Sequence, residues 1–228
     1  MMKQRWHGRL IGILLAVAMA VSVAETRVDP RQVVRETAEK VLAEVGARKG
    51  ELEADPSLLY DLVKGMVVSR FDFTAMTRSA MGRFWRSAIE QQRRRLVAEF
   101  QEMLVRTYAT ALLDYSGQTI EYPSERYTDD AKKVVVATRI QASGGPPIPI
   151  DYRLKWNEER GEWLVYDVVI DSISLVTNYR SSFARLIREG AQKEKNPVQR
   201  MHAGIDHLIA ALSAKNGVSG QKKEQVAE

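Results

Sequence analysis

The stretch from Asp167 to Gly190, DVVIDSISLVTNYRSSFARLIREG, constrains this chain more than any other. Val168, Val169 and Ile170 are apolar at consecutive positions, as in a strand buried on both faces. After Ser172 and Ser174 the period changes. Leu175, Val176, Tyr179, Phe183, Leu186 and Ile187 recur three and four residues apart, as on one stripe of a helix. A strand buried on both faces needs a layer on each side, so the rest of the chain has to supply two covers.

The strands that would accompany it lie just upstream. Thr119 to Thr128, Lys132 to Ala142, Ile148 to Asn157 and Glu162 to Ser172 read as four strands. They are joined by Asp129-Asp130, by Gly144-Gly145-Pro146-Pro147 and by Glu158-Glu159-Arg160-Gly161, turns short enough to make neighbours antiparallel. Val134, Val136, Thr138 and Ile140 share one face of their strand, and Ile148, Ile150, Tyr152, Leu154 and Trp156 share one face of theirs. In the last strand the alternation predicts Leu164, Tyr166, Val168 and Ile170 on one face, with Trp163, Val165 and Val169 on the other.

The covers are helices. Asp29-Pro30, Asp55-Pro56 and Asn196-Pro197 each place a side-chain acceptor before a proline suited to a first helical turn. The first helix carries Val33, Val34, Ala38, Val41, Leu42 and Val45 on a stripe, and the second Leu58, Leu59, Leu62, Val63, Met66 and Val67. The aromatic-rich segment from Phe71 to Trp85, interrupted by Gly82, predicts two short helices or turns. Ser87 and Glu90 form a capping-box pattern before the longest helix, predicted to run to about Tyr115. On it Arg93-Arg94-Arg95 is either a solvated face or a patch for a headgroup or partner. The resulting fold class is α+β, a four-stranded antiparallel meander curled over long helices. The lysine- and glutamine-rich residues 215–228 are expected to be a disordered tail.

Composition excludes several functions. The chain has 228 residues and no cysteine, so disulfides, thiolate metal sites and cysteine nucleophiles are ruled out. Residues 1–24 read as a secretory signal peptide: Lys3, Arg5 and Arg9 precede an apolar run from Leu10 to Val21, and Ser22-Val23-Ala24 suits cleavage after Ala24. An uncleaved anchor is the alternative. Removing those three cations leaves 31 basic against 29 acidic residues, a net +2 in place of +5. An exported chain with no later stretch of about twenty apolar residues is expected to be soluble beyond the inner membrane, hence periplasmic, which argues against a nucleic-acid role.

Catalytic motifs are scarce. His202 and His207 are five apart, which does not bring two ligands to one helical face. There is no glycine-rich phosphate loop, and no histidine near Ser172, Ser174, Ser181 or Ser182 to activate a nucleophile. Asp167 and Asp171, four apart on a strand, would share a face as an acid-base pair does. Alternatively they pair with arginines such as Arg139, Arg153 or Arg180. What the chain has in excess is apolar surface expected to face one interior: Met81, Met103, Tyr108, Leu112, Val136, Ile140, Tyr152, Leu154, Val168, Ile170, Ile173, Val176, Tyr179 and Phe183. Periodicity alone leaves open whether that interior is a filled core or a lipid-sized cavity.

Several blocks carry a resemblance: Arg70 to Ala88 (RFDFTAMTRSAMGRFWRSA), Gln91 to Gly117 (QQRRRLVAEFQEMLVRTYATALLDYSG), Ile150-Asp151-Tyr152, Glu162 to Asp167 (EWLVYD), and Ser172 to Arg180 (SISLVTNYR) with Phe183. Together they resemble the MlaC or toluene-tolerance family of periplasmic phospholipid carriers. Ser172 departs from the pattern, since the family usually has glycine there, which bears on the tightness of the turn. The resemblance implies an NTF2-like roll, about 89–189, with an added helical subdomain, about 25–88 and 190–214. It also implies a monomeric shuttle between an outer-membrane lipoprotein complex and an inner-membrane ABC transporter complex bearing an MCE-domain protein, maintaining outer-membrane lipid asymmetry. It implies no catalytic residues and no cofactor, phospholipid being the cargo. The fourteen apolar residues would then be lipid-binding, with Arg180 near the phosphate or paired with a carboxylate. A small NTF2-like hydrolase or isomerase using the acidic pair, and a structural adaptor with a solid core, are the other readings the residues allow.

Overall fold

The computed structural model describes residues 27–127, 132–141 and 145–224. The leader at 1–24, the Asp129-Asp130 turn and Gly144 lie outside them, as do the last four residues of the expected tail.

The aspartate-proline signals set the first helices. Asp29 accepts from the Arg31 amide (2.8 Å) at the start of α1 (Pro30–Ala47), and Asp55 accepts from the Ser57 amide (2.9 Å) at the start of α3 (Pro56–Met66). A short α2 (Lys49–Ala54), not expected from the sequence, joins them. The aromatic segment becomes α4 (Phe73–Met81) followed by a 3-10 turn, Gly82–Ser87, entered through Gly82 at φ 55°.

The long helix departs from expectation at both ends. α5 spans Glu90–Tyr108 and tightens into a 3-10 turn over Ala109–Leu112. Ser87 lies inside the preceding 3-10 turn and does not cap it. Ile89 stands at the cap, and its amide donates to Gln92 Oε1 (3.3 Å), so a side chain within the first turn reaches back instead.

The meander has five strands where four were expected: β1 (Ile120–Tyr127), β2 (Lys133–Ile140), β3 (Ile148–Asn157), β4 (Glu162–Ile170) and β5 (Ile173–Ser174), antiparallel in sequential order. β5 exists because β4 turns back on itself, Ile170 pairing with Ile173. The alternation expected for β4 fails halfway along. Arg153 pairs with Asp167 but Leu154 pairs with Val165, leaving Tyr166 as an extra residue. Such a bulge reverses the facing of every later side chain. Trp163 and Val165 therefore share one apolar cluster with Val168 and Ile170, and Asp167 lies on the opposite side.

α6 (Leu175–Lys193) and α7 (Arg200–Glu224) complete the fold. Asn196 caps only a turn, accepting from the Val198 amide (3.0 Å), and α7 starts at Arg200. The helix continues past Lys215, where disorder was expected. Asn216 is buried and donates to the carbonyl and carboxylate oxygens of Glu99 (3.1 and 2.8 Å). That anchor on α5 offsets the poor hydrophobicity of the segment.

Three apolar cores result. The largest joins α4, α5, α6 and α7 around Met76, Leu96, Phe100, Phe183, Ile187 and Leu208. A second holds the C-terminal half of α1 against α2, α3 and the end of α5. The third lies on the sheet, where Val34 of α1 meets Val134, Val136, Leu154, Trp163, Val165 and Val168. α6 and α7 cross in close contact. A Cβ on Gly190 would lie 2.3 Å from the Cβ of His207, and one on Gly204 would lie 2.3 Å from the Ile187 carbonyl oxygen. Replacing Gly204 by Ala should therefore cost about 2–3 kcal/mol through forced separation of the helices. Gly46→Ala, in open space on α1, should stabilise by about 0.5–1 kcal/mol. Urea denaturation followed by circular dichroism measures both.

Candidate functional site

The hinge between β4 and α6 is built around one buried carboxylate. Asp167, 2% exposed, accepts from Arg153 Nη1 (3.1 Å), the Ser174 hydroxyl (2.7 Å) and the Val176 amide (3.3 Å). The Ser174 hydroxyl in turn accepts from the Thr177 amide (3.2 Å) as the N-cap of α6. Asp167 thus joins β3, β4 and the first turn of α6, where unpaired amides favour a negative charge. Asp171 does not share this site. It is exposed and occupies, with Ser172, a two-residue hairpin loop in which both residues have positive φ (47° and 68°). The acid-base pair expected from four-residue spacing is dispersed, because the bulge and the turn separate the two side chains.

Of the fourteen apolar residues expected to face one interior, eleven are distributed over separate cores and three lie outside them. Met81, Met103, Val176 and Phe183 are buried in the helical core, with Tyr179 packed against it; Phe100 contacts Tyr179 and Phe183 edge-on, with ring centroids 5.2 and 5.1 Å apart. Leu112 packs against the core of α1, α2 and α3. Val136, Leu154 and Val168 are buried on the sheet, with Tyr152 and Ile170 partly buried beside them. Ile140 stands at the end of the same strand face, half-buried and outside all three cores. Tyr108 and Ile173 are exposed, Ile173 by 61%, and line no interior. Periodicity identifies the apolar face of each element but not which neighbour that face meets.

The sheet face is filled unevenly. At the end covered by α1, Val134, Val136, Leu154, Trp163 and Val165 are buried, with Trp156 partly buried beside them, and Trp163 Nε1 donates to the Val28 carbonyl (2.9 Å). At the other end Tyr122, Ile150, Tyr152 and Ile170 are only partly covered, and Ile148 is exposed. Tyr122 and Ile150 are not among the fourteen residues expected to face the interior. Ile150 was legible in the alternation of its strand, whereas Tyr122 stands beside Pro123 in a segment without clear alternation. Burial, with a smaller contribution from Tyr122, pushes the Tyr152 phenol up to about 12. Burial likewise raises the Tyr122 phenol, with Glu39 adding and Arg35 opposing. The Arg35 guanidinium lies 4.7 Å from the Tyr122 ring centroid, so α1 brings a cation and a carboxylate to the edge of this apolar region.

Arg180 is elsewhere. Its Nε donates to the Ser79 carbonyl (3.1 Å), tying α6 to α4 with neither a carboxylate nor the sheet face as partner. His202 Nδ1 lies 3.2 Å from Gln92 Oε1, and His207 is pressed against Gly190. Among the described residues no three histidine, aspartate or glutamate side chains gather as metal ligands, and no helix is long and apolar enough to cross a membrane.

The family model for the MlaC protein matches residues 35–214. The chain belongs to the MlaC family. Among its relatives, the intermembrane phospholipid transport system binding protein MlaC of Haemophilus influenzae is 26% identical over 184 residues, 80% of each chain. The toluene tolerance protein of Pseudomonas putida is 28% identical over 156 residues, covering 68% of this chain and 71% of its own. A phospholipid-binding protein from Ralstonia solanacearum, solved in complex with a phospholipid, superposes with a TM-score of 0.72 at 28% identity. The match covers 85% of this chain and all of that one. The α+β architecture read from the sequence is therefore that of an MlaC-family protein.

Removing the buried carboxylate by Asp167→Ala leaves an arginine, a hydroxyl and an amide without their acceptor. The expected loss is about 2–3 kcal/mol, below that of a fully buried pair because Arg153 is partly solvated. At the neighbouring turn, Ser172→Val should cost about 1–2 kcal/mol in the left-handed region, whereas Ser172→Gly should be neutral or slightly stabilising. Chemical denaturation of the three variants orders them.

Proposed function

We propose that this chain is a periplasmic phospholipid carrier. Its acyl chains would lie on the partly covered end of the apolar sheet face, among Ile150, Tyr152 and Ile170, and it would carry out no chemistry. The observation that carries this reading is the pairing of that underfilled face with a relative of the same fold that was solved holding a phospholipid. The leader-like residues 1–24 support export, and the MlaC-family membership supports a route between an inner-membrane MCE-domain ABC transporter complex and an outer-membrane lipoprotein complex.

The energetics suit a carrier. Two acyl chains with about thirty methylenes, at ~0.8 kcal/mol each, gain roughly 24 kcal/mol when sheltered from water. A bilayer shelters them nearly as well, so the net preference for the protein over the membrane is small. Crossing water therefore demands an apolar face, but loading and release need only modest free energy. Tyr152 supplies a wall with a polar tip, and Arg35 supplies a cation at the edge where a phosphate would reach solvent.

Native mass spectrometry of protein purified from the cell envelope, followed by lipid extraction, tests this directly. The expected result is a phospholipid adduct at close to one per chain. A lipid-free protein would sink the carrier reading. Ile170→Trp adds bulk where the side chain is only partly covered. It should abolish the adduct while leaving the helical circular dichroism signal and cooperative unfolding in place. A variant that retains lipid moves the cargo elsewhere.

A further inference from the structure

A trough runs along α4 and α5, on the side of β3 and β4 opposite the apolar face. One part, about 640 Å³, is bordered by Trp85, Arg78 and Arg93 and floored by Thr74, Val97, Ala98 and Gln101. A second part, about 410 Å³, continues from it past Phe71 and Phe73 to Lys155, Arg160 and Leu164, sharing Thr74, Arg78, Val97 and Gln101. Lys155 and Leu164 alternate with Leu154 and Val165, which places this trough on the reverse of the sheet.

Its charge is unbalanced. Lys64, Arg78, Arg93, Arg94, Lys155 and Arg160 line it, against Asp72, Glu90 and Glu102. Those carboxylates are already matched: Asp72 with Lys155 (2.7 Å), Glu90 with Arg94 (3.2 Å), and Glu102 with Lys64 (2.7 Å) and with Arg106. Arg160 pairs with Glu162. Among the described residues Arg78 and Arg93 have no carboxylate partner. They lie 5.7 and 5.3 Å from the Trp85 ring centroid, and Arg93 also donates to the Trp85 and Arg86 carbonyls. Guanidinium groups held against an indole are pre-positioned, so carboxylates arriving at them meet donors that need little further ordering.

We propose that this trough is the docking site for an acidic segment of a partner protein, with carboxylates held by Arg78 and Arg93 and apolar side chains on Val97, Ala98 and Trp85. Half-buried Val97 and exposed Ala98 lie among the cations, so the occupant has to offer apolar side chains together with carboxylates, which an amphipathic acidic peptide does and a planar headgroup surface does not. The trough lies on the opposite side of the sheet from the proposed lipid face, so docking and cargo do not compete for the same side chains. The assignment adds to the carrier reading a surface through which a partner could hold the loaded protein, and it does not depend on what the sheet face carries.

Fluorescence anisotropy with a labelled amphipathic peptide of glutamate and leucine tests it, using the lysine-leucine counterpart and phosphatidylglycerol vesicles as comparisons. The acidic peptide should bind and should weaken as salt shortens the screening length from ~10 Å to ~3 Å; the basic peptide should not bind. Arg78→Glu, at an exposed side chain, should lower affinity about tenfold, and Arg78→Glu with Arg93→Glu further. Ala98→Trp fills the floor without changing charge and should also abolish binding. Absence of binding to the acidic peptide overturns the proposal, as does equal binding by the Arg78→Glu or Ala98→Trp variants. Vesicle binding that Arg78→Glu removes, with no peptide binding, assigns the trough to a membrane instead. Lipid content of each variant, read by mass spectrometry, keeps failure here distinct from failure of the carrier reading.

Discussion

The bulge at Tyr166 is the constraint on which the rest of this structure depends. Without it β4 would send Asp167 to the same side as Trp163 and Val165, and a carboxylate would enter an apolar core with no partner, at a cost of several kcal/mol. With it, Trp163, Val165, Val168 and Ile170 all face the sheet's own core, and Asp167 reaches Arg153, Ser174 and the start of α6. One extra residue thus lets a single strand serve an apolar face on one side and a helix anchor on the other.

The helical layer is set by a different device. Gly190 and Gly204 let α6 and α7 approach until backbone meets side chain, and Gln92 and Asn216 then tie α7 to α5 through polar contacts. The Gln92 amide donates to the His202 carbonyl and to Asp206, so a buried polar side chain is satisfied from a neighbouring helix rather than by solvent. This block supports one side of β4 through α4 and α6, while α1 covers only part of the other. The unequal covering leaves an apolar region beside Tyr152 and Ile170.

Much of this was legible because the physics is local. Prolines after Asp29 and Asp55 announce helix starts by fixing φ next to an acceptor, and alternation assigns the faces of Val134 to Ile140 in β2 and of Ile148 to Trp156 in β3. What was not legible depends on distant contacts or on an added residue. A period-two count cannot register the extra Tyr166, so the facing of Trp163 and Val165 was inverted. The helix past Lys215 is held by Glu99, more than a hundred residues away, and no local propensity reports that. The apolar residues expected to share one interior meet different neighbours, since Met103 and Val136 obey similar patterns and enter different cores. The departure at Ser172 was visible as a residue, but its meaning emerged only with the positive φ of both loop residues.

The dependence of α5 on α7 carries a consequence for how the chain acquires its structure. Gln92 meets Asp206 and Glu99 meets Asn216 across separations of 114 and 117 residues. Leu96, Phe100 and Met103 cannot all be sheltered until α7 has been synthesised, about a hundred residues later, so the largest core closes late. Until α7 closes over it, the apolar stripe of α5 lacks part of its cover.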